Sequence, residues 1–253
     1  PGGSTPVPPG SVNAASSASS ASSASFSQSA RPAPVESPAP PDPFPQSRTN
    51  AVPAGQGNNP EALYELGENC FYGNGVKQDY RQAAQYYRMA ADMGYAPAQN
   101  DTGYCYENGI GLKVNLTMAA TYYRLAADQG NADAQYNLGC CYENGHGVPQ
   151  NYIMAAQLYR KASDQGYVGA HRALGNCYYT GQGVSKNLSE AARLFRLAAE
   201  QGDAVAQYNL GVCLEYGHGT EKNPAEAVKY YRLAADQGDE NAKASLKKFG
   251  VKY

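Results

Sequence analysis

Glycine stands at Gly67 and returns at Gly103, Gly139, Gly175 and Gly211, a step of 36 residues each time. A second register, Gly94, Gly130, Gly166, Gly202 and Gly238, keeps the same step with no insertion or deletion. A fixed period in this range specifies a stack of similar supersecondary units. Such stacks present long surfaces to partners and seldom carry out chemistry, so the period also bears on function.

Composition changes abruptly near residue 59. The first 59 residues hold 13 Ser, 12 Pro and 10 Ala, no Tyr, and charges only at Arg31, Glu36, Asp42 and Arg48. A segment like this has too little apolar surface to offset its chain entropy, so residues 1–59 read as a disordered Ser/Ala/Pro-rich tail. Within it, residues 31–45 favour polyproline II. Pro38-Ala39-Pro40-Pro41 is a PxxP, and Asp42-Pro43-Phe44 resembles an adaptor-binding peptide. Both arise readily in Pro-rich sequence, and a flexible spacer is the preferred reading. The chain opens on Pro, so it reads as a fragment or processed form, which leaves room for a removed signal peptide.

The remaining residues hold all 22 Tyr and all six Cys. Net charge is -2 and no Lys/Arg cluster stands out, which argues against nucleic acid as partner. No apolar run approaches the roughly 20 residues of a membrane span, so no membrane insertion is expected.

One unit, residues 132–167, shows how each repeat folds. A first helix is expected from about Ala132 to Glu143, with Ala134, Leu138, Cys141 and Tyr142 forming one apolar stripe. Gly145 and Gly147 end it. Asn151 caps a second helix, as do Asp79, Asn115, Asn187 and Asn223 at the equivalent positions. Glu190 and Glu226 complete capping boxes, and Pro224 occupies a first helical position. The second helix carries Ala155, Tyr159, Ala162 and Ser163 on one face and stops at Gly166. Two alanine columns, one running from Ala83 to Ala227 and one from Ala90 to Ala234, imply close packing. Glycine inside a helix costs about 1 kcal/mol relative to Ala, so the Gly67 series must recover that cost through close helix approach. Tyr87, Tyr123, Tyr159, Phe195 and Tyr231 are expected to fill the layers, with hydroxyls reaching water or a carbonyl at the rim.

The pattern Ala-x3-Leu-Gly-x2-Tyr-x2-Gly-x-Gly-Val, a cap, then Ala-Ala-x2-Tyr-Tyr-Arg-x-Ala-Ala-x2-Gly resembles the Sel-one-like repeat (SLR) family, a relative of the tetratricopeptide repeat. Ala134, Leu138, Gly139, Tyr142, Gly145, Gly147 and Val148 carry its first half; Ala155, Ala156, Tyr159, Ala162 and Gly166 carry its second. Departures are Thr102 for Leu, Cys70 and Leu214 for Tyr, and Leu112 and Thr220 for Val. The resemblance implies an all-α, right-handed α/α superhelical solenoid of five helix-turn-helix repeats at 60–95, 96–131, 132–167, 168–203 and 204–239. A partial sixth repeat or capping helix follows at 240–253.

It further implies a non-enzymatic scaffold or adaptor that binds a protein or peptide on the concave face, with no cofactor. Family members serve endoplasmic-reticulum quality control, cell-wall synthase activation, and bacterial signalling and host interaction. Carried over from the tetratricopeptide fold, the concave-face candidates are Tyr64, Asn100, Tyr104, Tyr136, Asn137, Arg172, Asn176, Tyr208 and Asn209. Unlike the caps and core columns, these vary from copy to copy; their alternative reading is ordinary solvated helix surface. Asn137 and Asn209 resemble half of a carboxylate clamp but lack its lysines.

Two other functions stay open. One is β-lactam binding or hydrolysis, as in a resembling cysteine-rich bacterial subfamily; the other is a regulatory arm of a larger protein. No nucleophile–base pair supports catalysis. Cys105, Cys141, Cys177 and Cys213 recur every 36 residues. Neighbouring layers would hold them about 10 Å apart, beyond the reach of a disulfide. They read as packed thiols, which favours a reducing, cytoplasmic setting. Cys141/His146 and Cys213/His218 are half-sites too far apart to share a metal. His146 and His218 read as solvated loop residues and His171 as surface. Asn115-Leu116-Thr117 and Asn187-Leu188-Ser189 match a glycosylation sequon, but both Asn are read as caps.

Overall fold

Thirteen-residue helices recur throughout a computed structural model that describes residues 59–252. The tail reading falls on residues 1–58, outside the described residues, apart from Asn59. Among the described residues there are eleven helices and no strand. They run α1 (Pro60–Tyr72), α2 (Tyr80–Asp92), α3 (Ala96–Asn108), α4 (Leu116–Asp128), α5 (Ala132–Asn144), α6 (Tyr152–Asp164), α7 (Val168–Thr180), α8 (Leu188–Glu200), α9 (Ala204–Tyr216), α10 (Pro224–Asp236) and α11 (Glu240–Lys248). They group into two compact units, α1–α5 and α6–α11, divided at Asn151/Tyr152. Within each unit every helix packs on its chain neighbours, hairpin upon hairpin.

Helix ends follow the local chemistry. Gly73, Gly109, Gly145, Gly181 and Gly217 close the first helices in the left-handed conformation. Asp79, Asn115, Asn187 and Asn223 each accept a hydrogen bond from a backbone N–H three residues on. A tertiary bond reinforces the corner: each cap residue's own N–H donates to a carbonyl near the end of the first helix, as Asn187 does to Tyr178 at 2.9 Å. Asn187→Ala is therefore expected to cost about 1 kcal/mol, read as a lower urea midpoint by circular dichroism.

The glycine column does allow close approach, but against an aromatic ring. A Cβ built on Gly67, Gly103, Gly175 or Gly211 would lie 2.5–2.7 Å from Tyr87, Tyr123, Phe195 or Tyr231. Those four rings are fully buried. The three tyrosine hydroxyls correct the expectation of water or a carbonyl, since each reaches a carboxylate. Tyr87 donates to Glu68, Tyr123 to Glu107 at 2.6 Å, and Tyr231 to Glu215 at 2.6 Å. Burial pushes Tyr123 well above the ordinary tyrosine range, and Glu107 adds to the shift. Burial also raises Glu107, while the bond from Tyr123 and the charge of His146 oppose it. In repeat 4 the ring is Phe195, without a hydroxyl, and the residue aligned with Glu107 and Glu215 is Tyr179. Hydroxyl and carboxylate disappear together.

Candidate functional site

Each hairpin's first helix carries the columns proposed to meet a partner. The helices place the nine candidates unequally. Asn100, Tyr104, Tyr136 and Asn137 are 4–6 % exposed and Asn209 is fully buried. Tyr64, Arg172, Asn176 and Tyr208 are half-buried. The expected solvent-facing columns are thus largely interior, which corrects their reading as surface.

The cause is a polar ladder between adjacent layers. In the α1–α5 unit, Tyr64 Oη donates to Asp101 Oδ2 at 3.0 Å, and Asn137 Nδ2 donates to Asn100 Oδ1 at 2.9 Å. Both pairs are 37 residues apart. Asn100 Nδ2 in turn donates to Asp101 Oδ1 at 3.1 Å. In the α6–α11 unit, Ser245 stands at the same offset from Tyr208, near enough to favour its ionised form against the burial that raises it. Asn209 Nδ2 donates to Asn176 Oδ1 at 3.3 Å, and Arg172 Nε donates to Asp203 Oδ2 at 3.0 Å. Asp203 also caps α9 through the N–H of Ala206. The columns vary because their members are matched to each other across a layer, and a buried amide or carboxylate needs its partner. Asp203 and Ser245 were missed from sequence, whereas Asp101 shares the column of Asn137 and Asn209. A search for polar residues at period plus one would have found Ser245 and paired Asp101 with Tyr64.

A second polar column was also missed. Gln99, Gln135 and Gln207 are nearly buried, and each donates its amide to a carbonyl of the preceding helix: Ala91, Ala127 and Ala199. His171 occupies this column in repeat 4 and is 6 % exposed, so it is not a surface residue. His218 is likewise engaged: Tyr179 Oη lies 2.8 Å from its Nδ1, and Tyr216 stacks on its ring. Burial, with the charges of Cys213 and Tyr208, pushes Tyr179 up to about 12. His146 is exposed.

Chemistry-bearing groups are held apart or enclosed. Among the described residues, no three His, Cys, Asp or Glu side chains gather to hold a metal ion, and no cysteine is in a disulfide. Burial raises the Cys213 thiol to about 12. No helix among the described residues is long and apolar enough to cross a membrane.

The Sel1 repeat family model matches five consecutive segments, residues 60–95, 96–131, 132–167, 168–203 and 204–239. A Sel1 repeat protein from Oxalobacter formigenes is 34% identical, with a TM-score of 0.72, covering 77% of this chain and 77% of that one. The protein c5321, a protective antigen of uropathogenic Escherichia coli with an SLR fold, is 35% identical with a TM-score of 0.68. That match covers 73% of this chain but spans only 39% of the antigen. A search of the curated proteins found no match. Five copies of the repeat, in series and in the fold of that family, establish that this chain belongs to the Sel1 repeat family.

Proposed function

We propose that the chain is a non-enzymatic scaffold that holds a protein or peptide against the first-helix face of its hairpins. Sel1 repeat proteins in general mediate protein–protein interaction, and the family is typically non-enzymatic. The observation that carries the finer reading is the split within the varying columns. Five of the nine candidates are buried, whereas Tyr64 in one unit and Arg172, Asn176 and Tyr208 in the other take part in the ladder and still keep part of their surface in solvent. Arg, Tyr and Asn at such positions offer planar, amphipathic contact and amide pairing to a peptide backbone. The packed thiols support a reducing compartment as its setting.

The test is affinity capture with the full chain, wild type beside an Arg172→Ala/Asn176→Ala/Tyr208→Ala variant whose helicity and melting have been checked. The variant is expected to lose a specific partner at least tenfold relative to wild type. Equal recovery of every partner by the two folded proteins overturns this face.

A further inference from the structure

We propose that His171 and Ser163 form an acid-sensitive joint between repeats 3 and 4, in which protonation of the enclosed imidazole loosens α7 from α6. Two substitutions at one contact carry the inference. In the described Gln column, Gln99, Gln135 and Gln207 clamp the carbonyls of Ala91, Ala127 and Ala199, a neutral contact at any physiological pH. Repeat 4 replaces the Gln with His171, and the residue aligned with those alanines is Ser163. The two replacements meet: Ser163 Oγ lies 2.7 Å from His171 Nδ1, with both residues buried. At this joint a permanent amide clamp has been exchanged for an enclosed imidazole that can titrate, whereas Lys243, the column's next member after Gln207, is paired with Glu240.

The surroundings disfavour the charged imidazole. Burial is the main cause lowering its proton affinity, and Arg193 of α8 adds repulsion. Asp164 of α6 opposes them in part. Arg193 is itself paired with Glu190, and Arg172 beside His171 on α7 is paired with Asp203. The sign follows from linkage. The unfolded chain takes up the proton near the ordinary histidine value of about 6.5, while the folded imidazole does so only at lower pH. Stability is therefore complete above that value and falls as pH drops through it toward the folded value. Each unit of separation is a tenfold loss in the folded-to-unfolded ratio.

The test uses the full chain. Histidine proton resonances are followed by NMR from pH 8 to 4.5, with His171 assigned by its loss in His171→Gln. Urea midpoints are then measured at pH 7.5 and 5.0 for wild type and for His171→Gln/Ser163→Ala, the residues that the other repeats already carry. The joint requires His171 to titrate below the ordinary range, and the double variant to lose less of its midpoint on acidification than wild type. Titration of His171 in the ordinary range or above it, or an undiminished acid loss in the double variant, overturns the proposal.

Discussion

Gly219→Ala is expected to lower stability by about 3 kcal/mol or more, whereas Gly202→Ala, also at positive φ, costs about 1 kcal/mol. Both glycines are left-handed, with φ of +72° and +91°. The difference is the neighbour. A Cβ on Gly219 would stand 2.0 Å from the carbonyl oxygen of Leu188, the first residue of α8, and nothing lies within 4 Å of one on Gly202. A backbone oxygen in a capped helix cannot swing aside, so the loop of repeat 5 would have to lift off repeat 4. Gly111, Gly147 and Gly183 meet Tyr80, Leu116 and Tyr152 at 2.0–2.1 Å in the same manner. Urea midpoints followed by circular dichroism give the comparison. Equal losses for the two variants would mean that φ strain dominates and that the loop-on-helix seat carries little.

The second large effect runs in the opposite direction. Thr102→Leu is expected to stabilise the protein by about 2 kcal/mol, from relief of a buried, unpaired hydroxyl plus added apolar burial. Thr102 is fully enclosed, and its Oγ1 has no hydrogen-bond partner. The matching residues Leu138, Leu174 and Leu210 are buried, 0–3 % exposed. Thr102→Val separates the two contributions, because it removes the hydroxyl at nearly constant volume and should recover about 1 kcal/mol. Thermal melts of wild type, Val and Leu variants should rank in that order. If neither variant melts above wild type, the hydroxyl is satisfied in solution or the space around it cannot admit the larger side chain.

The reach of the sequence can be judged from particular residues. The first helix of repeat 3, expected to end near Glu143, ends at Asn144, and the second begins directly after Asn151. These boundaries were legible because caps and stops act within a few residues, so composition at one site determines geometry at that site. Of the nine candidate contacts, Tyr64, Arg172, Asn176 and Tyr208 keep partial exposure, while Asn100, Tyr104, Tyr136, Asn137 and Asn209 lie in an interior that their sequence does not announce. Asn100 and Asn137 look like surface amides in any single helix; they are buried because each is the other's partner one layer away. His171 was misread for the same reason, since its partner Ser163 belongs to the preceding repeat.

The sequence by itself determined the period, the helical hairpin, the caps and the family, because each is written in short-range chemistry repeated five times. Tertiary structure alone decided which columns face solvent and which bind one another. Burial depends on a neighbouring layer 37 residues distant, and no local pattern reports that contact. It also separated Gly219 from Gly202. Both adopt positive φ, and only the packing of one hairpin on the next shows which of them has a carbonyl pressed against it.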